Sequence, residues 1–221
     1  MFHVKQHNDL ERFFEFLQKR LISLSSEQKE KLKIYLNRLI TFSSSHRVVS
    51  RNDIDLIVEK HFLSSFCFVD QIKRSVSIND SILDLGSGAG FPGVPLSIFF
   101  SENKVVLVES IRKKALFLKK ICKELELSCE VKNLRIEDFR KTNKDVFKFI
   151  TARALASIDE LIALSLSLMG NGELHTIKGF DYLNEFTKNE NHIIMPTEFS
   201  NSWTDYSNYL TNKVYLKIRV K

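Results

Sequence analysis

The chain has 221 residues, 43% of them hydrophobic and 27% charged. That suffices for one large domain, or for a domain with a small appendage, and is too apolar for a wholly disordered chain. Only 7 Gly and 3 Pro occur, which excludes collagen-like, Gly/Ser-linker and Pro-rich classes, and the net charge of +6 is compatible with a polyanionic partner without demanding one.

The N-terminal stretch has no apolar run of signal-peptide type, and the longest uncharged stretch, Leu85 to Ser101, is broken by Gly and Pro, so no membrane segment is expected. Asn8 can cap a helix carrying Leu10, Phe13, Phe14, Leu17 and Leu21 at three- and four-residue spacing. Ser25 and Gln28 form a capping box before Leu32, Tyr35, Leu36, Leu39 and Ile40. A third helix is expected from Asn52 or Asp53 through Phe62. Residues 1–76, without Gly or Pro, therefore read as a small helical cap, and residues 77–221 as a second unit.

From Ser81 the period changes. Ile82–Leu85 is a short buried strand, followed by a loop holding six of the ten Gly and Pro residues: Gly86, Gly88, Gly90, Pro92, Gly93 and Pro95. A helix through Leu96–Phe100, a strand over Lys104–Val108, a lysine-rich helix over Ile111–Leu125 and a strand over Ser128–Val131 follow. Then come strand Val146–Thr151, helix Ile158–Met169, strand Glu173–Ile177, helix Tyr182–Lys188 and strands His192–Met195 and Val214–Val220. This alternation predicts an α/β doubly wound sheet, mostly parallel, with an antiparallel C-terminal strand. Cys67, Cys122 and Cys129 show no CxxC spacing, so reduced cytosolic thiols are expected, with no zinc site.

The chemistry lies in Gly86-Ser87-Gly88-Ala-Gly90, directly after the first strand and preceded by Asp84. A dinucleotide fingerprint needs glycine at position 91, and Phe91 stands there, so a hydride-transferring NAD enzyme is disfavoured. The GxGxG spacing suits an S-adenosylmethionine (SAM) pocket, in which the loop passes under a ribose and an amino-acid tail. Glu109 ends the second strand, where an acid accepts hydrogen bonds from ribose hydroxyls; the alternative for Glu109 is a solvated cap of the next helix.

The segments Asp84–Pro95, Leu107–Lys114 with Phe117-Leu118, Arg135-Ile136-Glu137, Thr151–Ala156 and Lys178-Gly179 resemble, in order, the motifs of the RsmG (GidB) methyltransferases. The resemblance covers about residues 30–180 and implies a class I SAM-dependent methyltransferase, Rossmann-like in fold, that methylates N7 of a guanine in 16S ribosomal RNA. It implies SAM contacts from Asp84, Gly86, Ser87, Gly88, Gly90, Phe91 and Glu109, with Ile136 and Glu137 against the adenine, Ile136 being otherwise a core residue. Arg153 and Lys178, at the carboxyl ends of the fourth and fifth strands, are the positioning candidates. Arg153 can meet the SAM carboxylate or an RNA phosphate, or simply pair with Asp159 or Glu160. No catalytic base is implied, because guanine N7 carries a free lone pair; no Asn/Asp-Pro-Pro-Tyr motif follows the fourth strand.

Two features depart from the family. Ser64 stands where relatives carry an acid after His61, and the Pro-Arg-rich C-terminal tail is absent, which shifts expected RNA contacts to Lys113, Lys114, Arg47 and Arg51. The expected product is S-adenosylhomocysteine, and the expected partner is 16S rRNA or the small ribosomal subunit. A monomeric cytoplasmic enzyme with neither metal nor membrane partner is anticipated. A methyltransferase for small molecules and an inactive nucleoside- or RNA-binding relative are the competing readings.

Overall fold

A computed structural model describes residues 2–46, 49, 51–187 and 191–221. Seven strands form one sheet in the order β3-β2-β1-β4-β5-β7-β6. They are β1 (Ile82–Leu85), β2 (Val105–Val108), β3 (Cys129–Lys132), β4 (Phe149–Arg153), β5 (Glu173–Gly179), β6 (His192–Glu198) and β7 (Lys213–Val220). Only β7 runs antiparallel to its neighbours, β5 and β6, as the sequence predicts. β1 to β5 are mutually parallel, so the carboxyl ends of β1, β2, β4 and β5 share one edge.

β1 and β2 are buried on both faces, which is why they read as continuous apolar runs without alternation. Ile82, Val105, Leu107 and Phe149 face one side and pack with α1 (Phe2–Lys19), α2 (Ser26–His46), α4 (Leu63–Ile72), α5 (Gly93–Phe99) and α6 (Arg112–Glu124). Leu83, Leu85, Val106, Val108 and Ile150 face the other side, against α7 (Ile136–Thr142) and α8 (Ile158–Met169).

The N-terminal helices are thus a layer on the sheet. Leu10, Phe13, Leu36, Phe62 and Phe66 belong to the same core as Ile82 and Leu107, with no break at residue 76. α1 begins at Phe2, so Asn8 lies on its exposed face and caps nothing; no Gly or Pro interrupts the pattern upstream. The Ser25–Gln28 box forms, with Gln28 N–H donating to Ser25 Oγ at 3.1 Å and Ser25 N–H to Gln28 Oε1 at 2.9 Å. The third expected helix is divided into α3 (Arg51–Ile54) and a π-helical turn, Val58–Phe62, that runs into α4. A π turn widens the backbone locally and is common where side chains must be re-aimed; here it carries His61.

Two further expectations need correction, the helix over Tyr182–Lys188 and the reduced state of Cys122 and Cys129, and two short segments carry too weak a sequence signal to announce themselves. α7 was not legible, because Ile136 and Phe139 give it a single apolar turn. The helix expected over Tyr182–Lys188 is a 3₁₀ segment, Phe180–Glu185, and Lys188 lies outside the described residues. Between β6 and β7 the chain makes a short helix, α9 (Asn201–Thr204), and a 3₁₀ turn, Asn208–Leu210. Cys122 and Cys129 are bonded to each other and only Cys67 is a free thiol; the tight connection from α6 to β3 brings their Cα atoms to 6.2 Å. No described helix is long and apolar enough to cross a membrane.

Candidate active site

The glycine loop leaves the carboxyl end of β1 and is fastened from three directions. Beneath it, Asp84 is almost fully enclosed (1% exposed). Thr151 Oγ1 donates to Asp84 Oδ1 at 2.8 Å and the Gly93 N–H to Oδ2 at 3.2 Å. Burial pushes the Asp84 carboxyl up to about 6, against the lowering effect of these hydrogen bonds. Ser87 is equally enclosed, its hydroxyl donating to the Asp84 carbonyl at 3.1 Å.

In front of the loop, Glu109 follows β2. One of its carboxylate oxygens accepts from Gly88 N–H and the other from Ile111 N–H, each at 2.7 Å. The acid therefore joins the glycine loop to the start of α6. Gly88 has φ +58°, and a Cβ placed on it meets nothing nearer than the Gly86 carbonyl at 3.8 Å. The turn needs a residue tolerant of the left-handed region, and the space beside it is open.

Above the loop lies the helical layer. Gly90 has φ +110°, and a Cβ there meets Tyr35 Oη and Val94 at 2.7 Å; the missing side chain lets Tyr35 reach across and donate to the Ala89 carbonyl at 2.9 Å. Phe91 is enclosed by Tyr35, Phe62 and His61, with ring centroids 5.1–5.4 Å away. Asp84, Ser87 and Phe91, expected as direct cofactor contacts, have enclosed side chains that brace the loop, and Glu109, at 5% exposed, is enclosed alike.

Arg153 ends β4 and turns toward the helices. Its guanidinium donates to His61 Nδ1 at 2.6 Å and to Ser64 Oγ at 3.3 Å, and lies 5.7 Å from the Phe91 ring. Neither Asp159 nor Glu160 pairs with it: Asp159 accepts from Thr187 N–H, and Glu160 completes a capping box with Ser157. Burial lowers the Arg153 pKa, while Tyr209, Asp84 and Tyr35 raise it. Burial, and then the Arg153 charge, pushes His61 down to about 3, so the imidazole is neutral and accepts. Ser64, where the family resemblance implies an acid, thus faces Arg153 with a hydroxyl.

A depressed histidine pKa stabilises the fold above the unfolded value of 6.5 and loses that contribution as pH falls toward 3. The wild type is expected to lose stability relative to a His61→Gln variant between pH 6.5 and 4, on the order of 2 kcal/mol. Denaturant titrations of both proteins at the two pH values check this; a constant difference contradicts the neutral-histidine assignment.

Beside the loop opens a cleft of about 440 Å³, lined on one side by Gly86, Val108 and Ser110, on another by Leu134, Arg135, Ile136 and Glu137, and closed by Leu155, Ala156 and Glu160. Of the expected contacts it contains Gly86, Ile136 and Glu137. Leu155 and Glu160 were missed: Ala154, at φ +50°, swings the chain after β4 back over the loop, a turn that residue type does not announce. Lys178 does not line the cleft. Its ammonium donates to the Ala156 carbonyl and to Glu185, holding the end of β5 against the cleft wall. Lys113 borders a different groove, between α2 and α6. Arg47 lies outside the described residues.

A glycine loop after β1, an acid after β2 and a cleft at the carboxyl edge of a 3-2-1-4-5-7-6 sheet define a Rossmann-like methyltransferase of class I. Solved structures agree on the fold. The plantazolicin methyltransferase BpumL, solved with S-adenosylhomocysteine, superposes with a TM-score of 0.56 at 12% identity, covering 88% of this chain and 99% of that one. Fibrillarin in its complex with Nop5p gives 0.53 at 12% identity, over 72% of this chain and 82% of its own.

Residues 28–209 match the family GidB, rRNA small subunit methyltransferase G, and the chain belongs to that family. The protein named ribosomal RNA small subunit methyltransferase G in Mycoplasma capricolum is 35% identical over 74% of this chain and 70% of its own. That of Borrelia hermsii is 38% identical over 73% and 77%.

Proposed function

We propose that the protein transfers the methyl group of SAM to N7 of a guanine in 16S rRNA of the small ribosomal subunit. The observation that carries this reading is the Glu109-pinned glycine loop beside an open cleft, in a chain whose relatives bear that name.

The residues present fit the cofactor. The space beside Gly88 is open for its amino-acid tail, Ile136 and Glu137 line the cleft for the adenine, and Glu109, which holds the loop at Gly88 N–H, is the acceptor proposed for the ribose. A cleft of about 440 Å³ lies within the usual range for small-ligand sites. When bound, SAM supplies an electrophilic methyl group on a sulfonium. The N7 lone pair forms the new bond to carbon as the carbon–sulfur bond breaks, and the positive charge passes to the base. No proton leaves, so the protein has only to position and to exclude water. Arg153, hydrogen-bonded to His61 and Ser64, supplies a guanidinium for the cofactor carboxylate or an RNA phosphate.

The cleft is built by one chain, and we read the enzyme as a monomer acting in the cytoplasm, without metal. Methyl transfer from labelled SAM to 16S rRNA or to small subunits tests the reading: label in the RNA supports it, whereas transfer only to small molecules contradicts it. SAM binding measured by calorimetry separates an active enzyme from a relative that binds RNA alone.

A further inference from the structure

Just past Lys178 the chain builds a feature that the cofactor cleft does not use. β5 ends at Gly179 and passes directly into the 3₁₀ segment Phe180–Glu185. Phe180 is 53% and Leu183 63% exposed, whereas Tyr182 and Phe186 pack against the core beside α8. Side chains three apart eclipse in a 3₁₀ helix, so Phe180 and Leu183 form one outward apolar face. The segment is anchored at both ends, by Lys178 to Glu185 at 2.5 Å and by Thr187 N–H to the Asp159 carboxylate at 3.0 Å. A held turn that leaves two large apolar side chains in solvent gains nothing for folding from them.

Its surroundings say what it faces. The Lys178 ammonium touches the Ala156 carbonyl, and Ala156 lines the cofactor cleft. Gly179 pairs across the sheet with Lys213, whose ammonium stands 4.8 Å from the Tyr209 ring, and Arg153 pairs with Ile177 on the other side. The apolar face thus follows directly on the carboxyl end of β5, whose Lys178 touches the cleft wall at Ala156, on the sheet edge at which open α/β folds admit their ligands.

We propose that Phe180, backed by Leu183, is the platform on which the target guanine stacks once it leaves the RNA stack, with Lys213 beside it for an adjoining phosphate. This rests on the rRNA reading above. Enzymes that modify a base take it out of the helix, and unstacked RNA bases are recognised on aromatic faces. Stacking also suits the reaction: N7 and its lone pair lie in the ring plane, so a base held by its face directs N7 sideways, toward the cleft.

Phe180 is surface-exposed, and Phe180→Ala is expected to keep the melting temperature and SAM affinity of the wild type. Its kcat/KM for methyl transfer to 16S rRNA should fall roughly 5- to 150-fold, and Phe180→Tyr should restore most of it. In Phe180→Trp, the new indole should be quenched by the RNA, above the constant signal of Trp203, which is 4% exposed. Wild-type kcat/KM in Phe180→Ala, or an indole blind to RNA, overturns the platform while leaving the rRNA reading intact. A wild type that methylates no RNA overturns both.

Discussion

Gly88→Val is expected to abolish SAM binding while the sheet and helices persist. Gly88 sits at φ +58° with open space beside it, and its N–H is held by Glu109. A valine there places two methyl groups where the cofactor tail must lie and asks a β-branched residue to adopt a left-handed backbone, at a local cost of about 1–3 kcal/mol. Gly88 itself is half-buried with open space beside it, so this strain lowers the melting temperature without unfolding the chain. Calorimetric affinity should fall by more than ~1,000-fold, beyond the roughly 150-fold that about 3 kcal/mol of loop strain could supply. Unchanged affinity would refute the pocket assignment.

Glu109→Ala carries the second largest expected effect. The sequence suggests a simple acceptor for ribose hydroxyls; in the structure both carboxylate oxygens already accept backbone N–H groups, from Gly88 and Ile111. Removing the acid frees the glycine loop from the start of α6 and removes the acceptor proposed for the ribose. A hydrogen bond to a charged group contributes roughly 1.5–3 kcal/mol, so SAM affinity should drop about 10- to 150-fold. The loop should also show faster amide exchange at Gly88 and Ile111. Glu109→Gln, which accepts with one oxygen only, should fall between the two. Equal affinity in wild type and Glu109→Ala would reduce the acid to a helix cap.

The difference between these two views of Glu109 shows where sequence reading stops. Strands β1 and β2, the loop between them and the acid nineteen residues beyond Gly90 are local patterns, and their spacing places them at one sheet edge. What each side chain faces is settled by partners distant in the chain. Asp84 is closed off by Thr151, Gly90 is bare because Tyr35 crosses it, and Arg153 is taken by His61 and Ser64 rather than by the nearby Asp159 or Glu160. The helical layer follows the same logic. Its periodicity announces helices with one apolar face each, but only the shared core of Leu36, Phe62 and Leu107 shows that the face belongs to the sheet. The exposed pair Phe180 and Leu183 was likewise hidden, because an apolar residue in a short segment reads as core.

Ser64 gains meaning from this arrangement. Its hydroxyl donates to the Lys60 carbonyl at 2.6 Å and receives the Arg153 guanidinium at 3.3 Å. A carboxylate there would hold the arginine by charge, whereas the hydroxyl holds it by a neutral hydrogen bond.

The central claim is methyl transfer to guanine N7 of 16S rRNA, and chemical mapping of the product tests it most directly. Small-subunit RNA incubated with the protein and SAM is treated with borohydride and aniline, which cleave the strand at 7-methylguanine, and the break is located by primer extension. A new break at one guanine is expected, dependent on SAM and lost in Gly88→Val. Methyl incorporation without cleavage, marking an exocyclic amine or a ribose, or no incorporation at all, would contradict it.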